Sequence, residues 1–173
     1  ASGKETPRQK MINLMYLVFI AMLAMTIDQQ IIRSYKDTNQ SLTDTRLTVE
    51  DKNDNIFKKT LQAKAVSSPE SYGPMLDQYK TLEAKTNDLV GFIEGIKNKM
   101  STEAEYDATL PIEESITALN NTEPATQNFF KDGDEKTPSK TSQDLKTKVD
   151  DLRNFIVSTF GASQQLKAVA DRA

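Results

Sequence analysis

The run Met11-Ile12-Asn13-Leu14-Met15-Tyr16-Leu17-Val18-Phe19-Ile20-Ala21-Met22-Leu23-Ala24-Met25-Thr26-Ile27 carries no charged side chain, and its reading decides the architecture. Taken alone it is at the lower limit for a membrane-crossing helix, about 17 residues. The residues in front of it lengthen it. Thr6-Pro7-Arg8-Gln9 has the form of a capping box, with Thr6 as N-cap, Pro7 at the first helical position and Gln9 reaching back to the Thr6 amide. A helix that starts at Pro7 covers roughly 29 Å between Arg8 and Ile27 at about 1.5 Å per residue, close to the roughly 30 Å of hydrocarbon in a bilayer. The sequence therefore predicts one span over residues 7–32, in contact with membrane lipid, with Arg8 near its inner edge.

The flanks orient it. Lys4, Arg8 and Lys10 outnumber Glu5 ahead of the run, and an excess of Lys and Arg keeps a short flank in the cytoplasm. Lys4 and Lys10 are thus read as interface and topology charges, residues 1–6 as cytoplasmic, and residues 33–173 as lying across the membrane. A cleaved leader would need small residues at paired spacing, but Ala21 is followed two on by Leu23 and Ala24 by Thr26. The helix reads as an uncleaved anchor.

Composition narrows the function. The 173 residues leave room for one domain beyond the anchor. With no Cys there is no disulfide or thiolate metal site, and with no His the commonest metal ligand and the side chain that titrates nearest neutrality are both missing. No motif places a nucleophile beside a base. The chain is read as a non-enzyme without metal or cofactor. A net charge of −3 supplies no basic field for nucleic acid.

Past the anchor, Tyr35, Leu42, Val49, Ile56 and Ala63 recur every seven residues, while the positions three later are Thr38, Thr45, Lys52 and Lys59. Only half of a heptad seam is apolar. That predicts a long helix continuing from the span and a parallel homodimer in which Tyr35, Leu42 and Val49 form part of the contact. Ser67 to Pro74, with two prolines and a glycine, is expected to break the helix. Two stronger stripes follow at spacings of four and three: Met75, Tyr79, Leu82, Thr86, Leu89, Ile93, Ile96 and Met100, then Leu145, Val149, Leu152, Ile156, Thr159, Ser163, Leu166 and Ala170. Both predict amphipathic helices whose apolar faces pack within each copy. Between them residues 101–141 carry at best a short helix from Ile112 to Leu119, and are expected to project as a functional element or to be mobile. The fold class is all-α: one transmembrane helix continuing into a helical bundle. Because the last residues stand inside an active helical pattern, further carboxyl-terminal domains are expected.

The span has a chemistry of its own. No Asp, Glu or His lies between Lys10 and Asp28, so the chain alone cannot pass a proton across a bilayer on a side chain. Any such carrier belongs to a partner. The span offers a cation at Arg8 and a polar stripe of Gln9, Asn13 and Tyr16, which lie within about 60° of one another on a helix. Polar groups in hydrocarbon face protein or water. The plainer reading is that Arg8 and Lys10 snorkel and set topology while Asn13 and Tyr16 sit near the headgroups.

Gly3-Lys4-Glu5-Thr6-Pro7-Arg8-Gln9-Lys10-Met11-Ile12-Asn13-Leu14-Met15-Tyr16-Leu17-Val18 resembles the amino-terminal signature of the GldM (PorM) family, as do Leu61-Gln62-Ala63-Lys64-Ala65 and Tyr72-Gly73-Pro74. That family is the inner-membrane motor subunit of Bacteroidota gliding motility and type IX secretion. The resemblance implies a motor driven by the proton motive force, in which two copies of the span sit inside a ring of the multi-pass partner GldL (PorL). It places the family's membrane-helix arginine on Arg8, paired with acidic side chains of the ring. It further implies a periplasmic bundle over 33–173 and contact with periplasmic and outer-membrane components through the absent carboxyl-terminal domains. A passive envelope-spanning tether and a single-pass periplasmic sensor remain the alternatives.

Overall fold

The computed structural model describes residues 6–161. Helix α1 runs from Pro7 to Lys52 and continues without a break through a π-helical segment, Asn53–Lys58, into α2, Lys59–Ser67. The continuation expected from the heptad is present, but the π segment was not foreseen. A π turn places an extra residue in the helical ladder, and here it occupies Asn53-Asp54-Asn55, residue types that compete with the helical backbone for hydrogen bonds. Their side chains are tied locally: Asn55 donates to Asp51 (2.5 Å) and Lys59 donates to Asn55 (2.8 Å).

The break expected across Ser67 to Pro74 shrinks to Ser68, the one residue there outside helical geometry (φ −143°, ψ 75°). Pro69 is then the first residue of α3, Pro69–Glu103, where a missing N–H removes nothing. Gly73 and Pro74 lie inside α3. Pro74 leaves one carbonyl a turn earlier without its usual donor, a loss the following turns of the helix outweigh. The chain thus reverses in a single residue, and α3 runs back along the rod. Phe57 meets Tyr79 with ring centroids 5.5 Å apart, Lys58 donates to Glu83 (2.6 Å), and Lys64 lies over the Tyr72 ring.

Helix α6, Lys140–Phe160, is capped by Ser139, whose hydroxyl accepts from the Ser142 amide (3.2 Å). It packs antiparallel to α3, with Lys148 bonded to Asp88 (2.5 Å) and lying over Phe92, and Lys85 lying over Phe155. The predicted stripes mark these faces. Tyr79, Leu82, Leu89, Ile96 and Met100 of α3 are half-buried, as are Leu145, Val149, Leu152, Ile156 and Thr159 of α6, whereas Met75, Thr86 and Ile93 are exposed. Ser163, Leu166 and Ala170 lie outside the described residues.

Residues 101–141 do not form a projecting or wholly irregular stretch. Helix α4 covers Ile112–Leu119 as expected, followed by α5, Glu123–Phe129, and an antiparallel pair, β1 Phe130–Lys131 with β2 Asp134–Pro138. Asp132 and Gly133 both have positive φ (54° and 75°), the geometry a two-residue hairpin turn demands and an Asp-Gly pair tolerates. Buried Asn128 ties this part together: it donates to Glu103 at the end of α3 (2.6 Å) and to the Pro124 carbonyl (2.7 Å), while Ser139 donates to its carbonyl (2.5 Å). The molecule is all-α apart from this hairpin. Its core is thin: among the described residues Leu61 and Pro124 are the buried apolar side chains.

The contact that closes the α2–α3 hairpin has a pH signature. The hydrogen bond to Glu83, aided by the Glu83 and Asp54 charges, holds the Lys58 ammonium above its ordinary lysine value. A raised folded-state pKa stabilises fully below the ordinary value and is lost as pH rises through the raised one. The denaturation midpoint of Glu83→Gln should therefore fall below the parent's by a constant margin from neutral pH upward, and the margin should close only in alkali beyond the ordinary lysine value.

Candidate functional site

The candidate residues sit on α1, and its first turn is set by the cap. Thr6 accepts from the Gln9 amide (3.3 Å), and the Thr6 carbonyl accepts from Lys10 N–H (3.1 Å). The Gln9 side chain, expected to reach back to the Thr6 amide, instead donates forward to Asn13 Oδ1 (3.2 Å). Gln9 and Asn13 are thereby joined along one face, and Tyr16 follows a turn later, exposed. Arg8 stands in the first turn, exposed, and makes no hydrogen bond or ion pair with any described residue. Lys10 is also exposed, and Lys4 lies outside the described residues.

The position of these cations is locally unfavourable. The first turn holds no acidic residue, and the positive end of a helix disfavours a nearby cation by about 0.3–1 kcal/mol. Helix stability does not explain Arg8 and Lys10.

No residue of α1 is buried by the rest of the chain. Met11, Phe19 and Met25 are 67%, 60% and 67% exposed, and the other large apolar residues of the run are exposed as well, Ile12 least at 37%. The rod Pro7–Ser67 is long and apolar enough, by length and composition, to cross a membrane. Thr26 satisfies its hydroxyl on the Met22 carbonyl (2.9 Å), so the run's one threonine leaves no unsatisfied donor to an apolar surrounding.

Above the run, the half-heptad is also bare: Tyr35, Leu42 and Val49 are 74%, 64% and 50% exposed. The threonines at the intervening positions have a role that sequence reading missed. Thr38 donates to the Ser34 carbonyl and Thr45 to the Ser41 carbonyl, each at 2.8 Å. With the hydroxyl satisfied inside its own helix, each threonine can turn a methyl group toward a neighbour without burying an unpaired donor. The seam is less polar than its letters suggest.

The bundle meets α1 beside Tyr35. Arg33 is paired with Glu113 of α4, Ile32 is half-buried, and a groove of about 550 Å³ lies between Ile32, Tyr35 and Lys36 on α1 and Met100, Ala104 and Leu119 opposite. No sequence signal announces this pair, whose partners stand 80 residues apart.

Among the described residues no three acidic side chains converge, and the apolar run supplies no titrating acid. The arrangement can present a fixed cation and a short amide-phenol stripe to another protein. It can also lay a long apolar line against a similar helix.

Compared with known proteins, residues 30–173 match the family model described as the GldM N-terminal domain. Neither a curated protein nor a solved structure matches the chain. The matched residues include Leu61–Ala65 and Tyr72–Pro74 and begin beyond the Gly3–Val18 signature, so that signature is a likeness on a separate part of the sequence.

The Arg33–Glu113 pair is about half exposed on both sides, and such pairs contribute about 0–1 kcal/mol. Arg33→Ala should lower stability by no more than about 1 kcal/mol in chemical denaturation.

Proposed function

The chain belongs to the GldM family, and from that premise we propose that it is the membrane-anchored subunit of a motor, driven by the proton motive force, that powers type IX protein secretion, gliding motility or both. The family is a component of that machinery rather than an enzyme family. In the proposed arrangement residues 1–6 are cytoplasmic, 7–32 cross the inner membrane and 33–173 form the periplasmic bundle. Two copies stand in parallel inside a ring of the multi-pass partner GldL (PorL). Domains beyond residue 173 carry motion to periplasmic and outer-membrane components.

One observation carries the reading: a capped, bare helix with a cation at its start and an apolar run that holds no acid between Lys10 and Asp28. A proton path through hydrocarbon needs a group that gains and loses charge near neutrality, and the chain has no Asp, Glu or His between Lys10 and Asp28, so the ring must supply carboxylates. The Arg8 guanidinium is a fixed cation. It therefore pairs with whichever ring carboxylate is ionised and loses that partner when the carboxylate takes up a proton. Pairing also answers the unfavourable placement of a guanidinium at the positive end of a helix and near hydrocarbon. Moving one charge through 100 mV is worth about 2.3 kcal/mol, enough to bias successive pairings where the field falls across them.

A passive tether would use the same residues only for topology, and Arg8 separates the two readings. Arg8→Ala should leave the complex with the ring partner purifiable, because the apolar length of the span is untouched, while secretion or gliding stops. Arg8→Lys retains the charge without the planar fork and should keep part of the activity. Normal secretion and movement by Arg8→Ala at unchanged expression would rule out the ion-pair mechanism and leave Arg8 as a topology signal.

A further inference from the structure

We propose that the groove between α1 and the lower end of the bundle is a lipid site, holding one outer-leaflet phospholipid with an amine in its headgroup, its phosphate on Lys36. This rests on the span proposed above, residues 7–32. It adds a contact between bundle and membrane surface that the span itself does not make.

The groove, about 550 Å³, opens where that span ends. Ile32 is the first residue of α1 to line it and the last of the span, and Lys36 stands one turn higher, about 6 Å at about 1.5 Å per residue. The headgroup layer on each side of a bilayer is about 5–7 Å deep. Side chains of a helix lean toward its N-terminus, which for α1 is the membrane end, so Lys36 leans down into that layer. Tyr35 and Tyr106 both line the groove, and tyrosine collects at the boundary between membrane and water.

The lining selects the ligand. Ile32, Met100, Ala104, Ala118, Leu119 and Pro124 make the walls apolar, and Lys36 is the one charged residue that lines them. Lys36 is exposed and makes no hydrogen bond or ion pair with any described residue. Arg33, the neighbouring cation, is taken by Glu113. An apolar peptide would cover the walls but leave an unpaired ammonium beside it where water is excluded, which is costly. A free phosphate would pair the ammonium and leave the walls wet. A phospholipid answers both: its phosphate accepts from Lys36 Nζ, and the upper part of an acyl chain lies along Ile32 and Leu119 on its way to the hydrocarbon.

The acids around the groove decide the rest of the headgroup. Between Lys99 and Lys131 the chain carries Glu103, Glu105, Asp107, Glu113, Glu114 and Glu123 and no basic residue. Glu105 and Glu123, both exposed, stand next in sequence to the lining residues Tyr106 and Pro124. A headgroup of net negative charge meets them as a like charge, whereas an ammonium beside the phosphate meets them as an opposite one. The site therefore takes an amine-bearing zwitterionic lipid in preference to an anionic lipid.

The site is the chain's own, so the test needs no ring partner. The full chain is reconstituted into vesicles of equal parts phosphatidylethanolamine and phosphatidylglycerol, with a benzophenone amino acid placed singly at Leu119 in the groove, Leu23 in the span or Val66 at the far end of the rod. Lipid adducts are read by mass spectrometry after illumination. Leu119 is 40% and Val66 82% exposed, so neither replacement removes a buried contact. The expected result is adducts with both lipids at Leu23, none at Val66, and at Leu119 an adduct enriched several-fold in phosphatidylethanolamine relative to Leu23. Lys36→Glu should lower the Leu119 adduct several-fold and leave that at Leu23 unchanged, while Lys52→Glu, at another exposed position, should change neither. No more adduct at Leu119 than at Val66, with adduct present at Leu23, overturns the site and leaves the span standing. A Leu119 adduct with the lipid ratio of Leu23, or one indifferent to Lys36→Glu, is contact with the bilayer alone and overturns the site, as does an adduct with a second copy in place of lipid. No adduct at Leu23 removes span and site together.

Discussion

The whole arrangement depends on one constraint: a backbone crossing hydrocarbon must satisfy every N–H and C=O within itself. A helix from Pro7 onward meets it, and the helical rod runs on through the π segment to Ser67. The consequence is mechanical as much as structural. A single hydrogen-bonded element joins the cation at Arg8, the apolar run and the half-heptad that follows, so tilt or rotation at one end is delivered to the other in register. The π segment at Asn53–Lys58 is the first departure from regular geometry, and it comes where the rod becomes one wall of the bundle, beside Phe57, Tyr79 and Glu83.

The bundle is modest in what it buries. With Leu61 and Pro124 the buried apolar residues among those described, a single copy holds its helices by half-buried stripes, a few ion pairs and the Asn128 network. The helix that bears the proposed contact keeps its large apolar residues outside. That division is what the proposed assembly, with a ring around the span and a second copy along the half-heptad, would require. The threonines of the seam fit it too, since hydroxyls bonded to their own helix leave an apolar methyl for a neighbour.

Legibility tracked the range of each interaction. Helix α1 begins at Pro7 because Thr6-Pro7 is a strong local signal, and α4 begins and ends where Ile112 to Leu119 said it would. Apolar periodicity found the faces of α3 and α6, for burial alone imposes it. The errors came where local signals were ambiguous. Pro69 and Pro74 read as breakers, yet proline at the first position of a helix is favourable and a second one a turn later is tolerated, so the chain turned in one residue. The hairpin after α5 rested on Asp132-Gly133 within a charged stretch whose strands are too short to alternate. The link from Arg33 to Glu113 and the pivot at Asn128 are long-range contacts of polar residues, which carry no period. At the site itself the positions of Arg8, Gln9, Asn13 and Tyr16 were legible from the cap, but the forward bond from Gln9 to Asn13 was not.

The central claim is that the span and the helix above it form one rigid element. Spin labels at Ile12→Cys and Asp37→Cys in the same chain, diluted with unlabelled protein to suppress pairs between copies and read by dipolar spectroscopy in membranes, measure this most directly. A continuous helix predicts a narrow distribution centred at about 38 Å, from 25 residues at about 1.5 Å each. A broad distribution, or one centred many ångströms shorter, would mean that the chain bends between Ile27 and Arg33 and that motion at Arg8 is not delivered to the bundle by this helix.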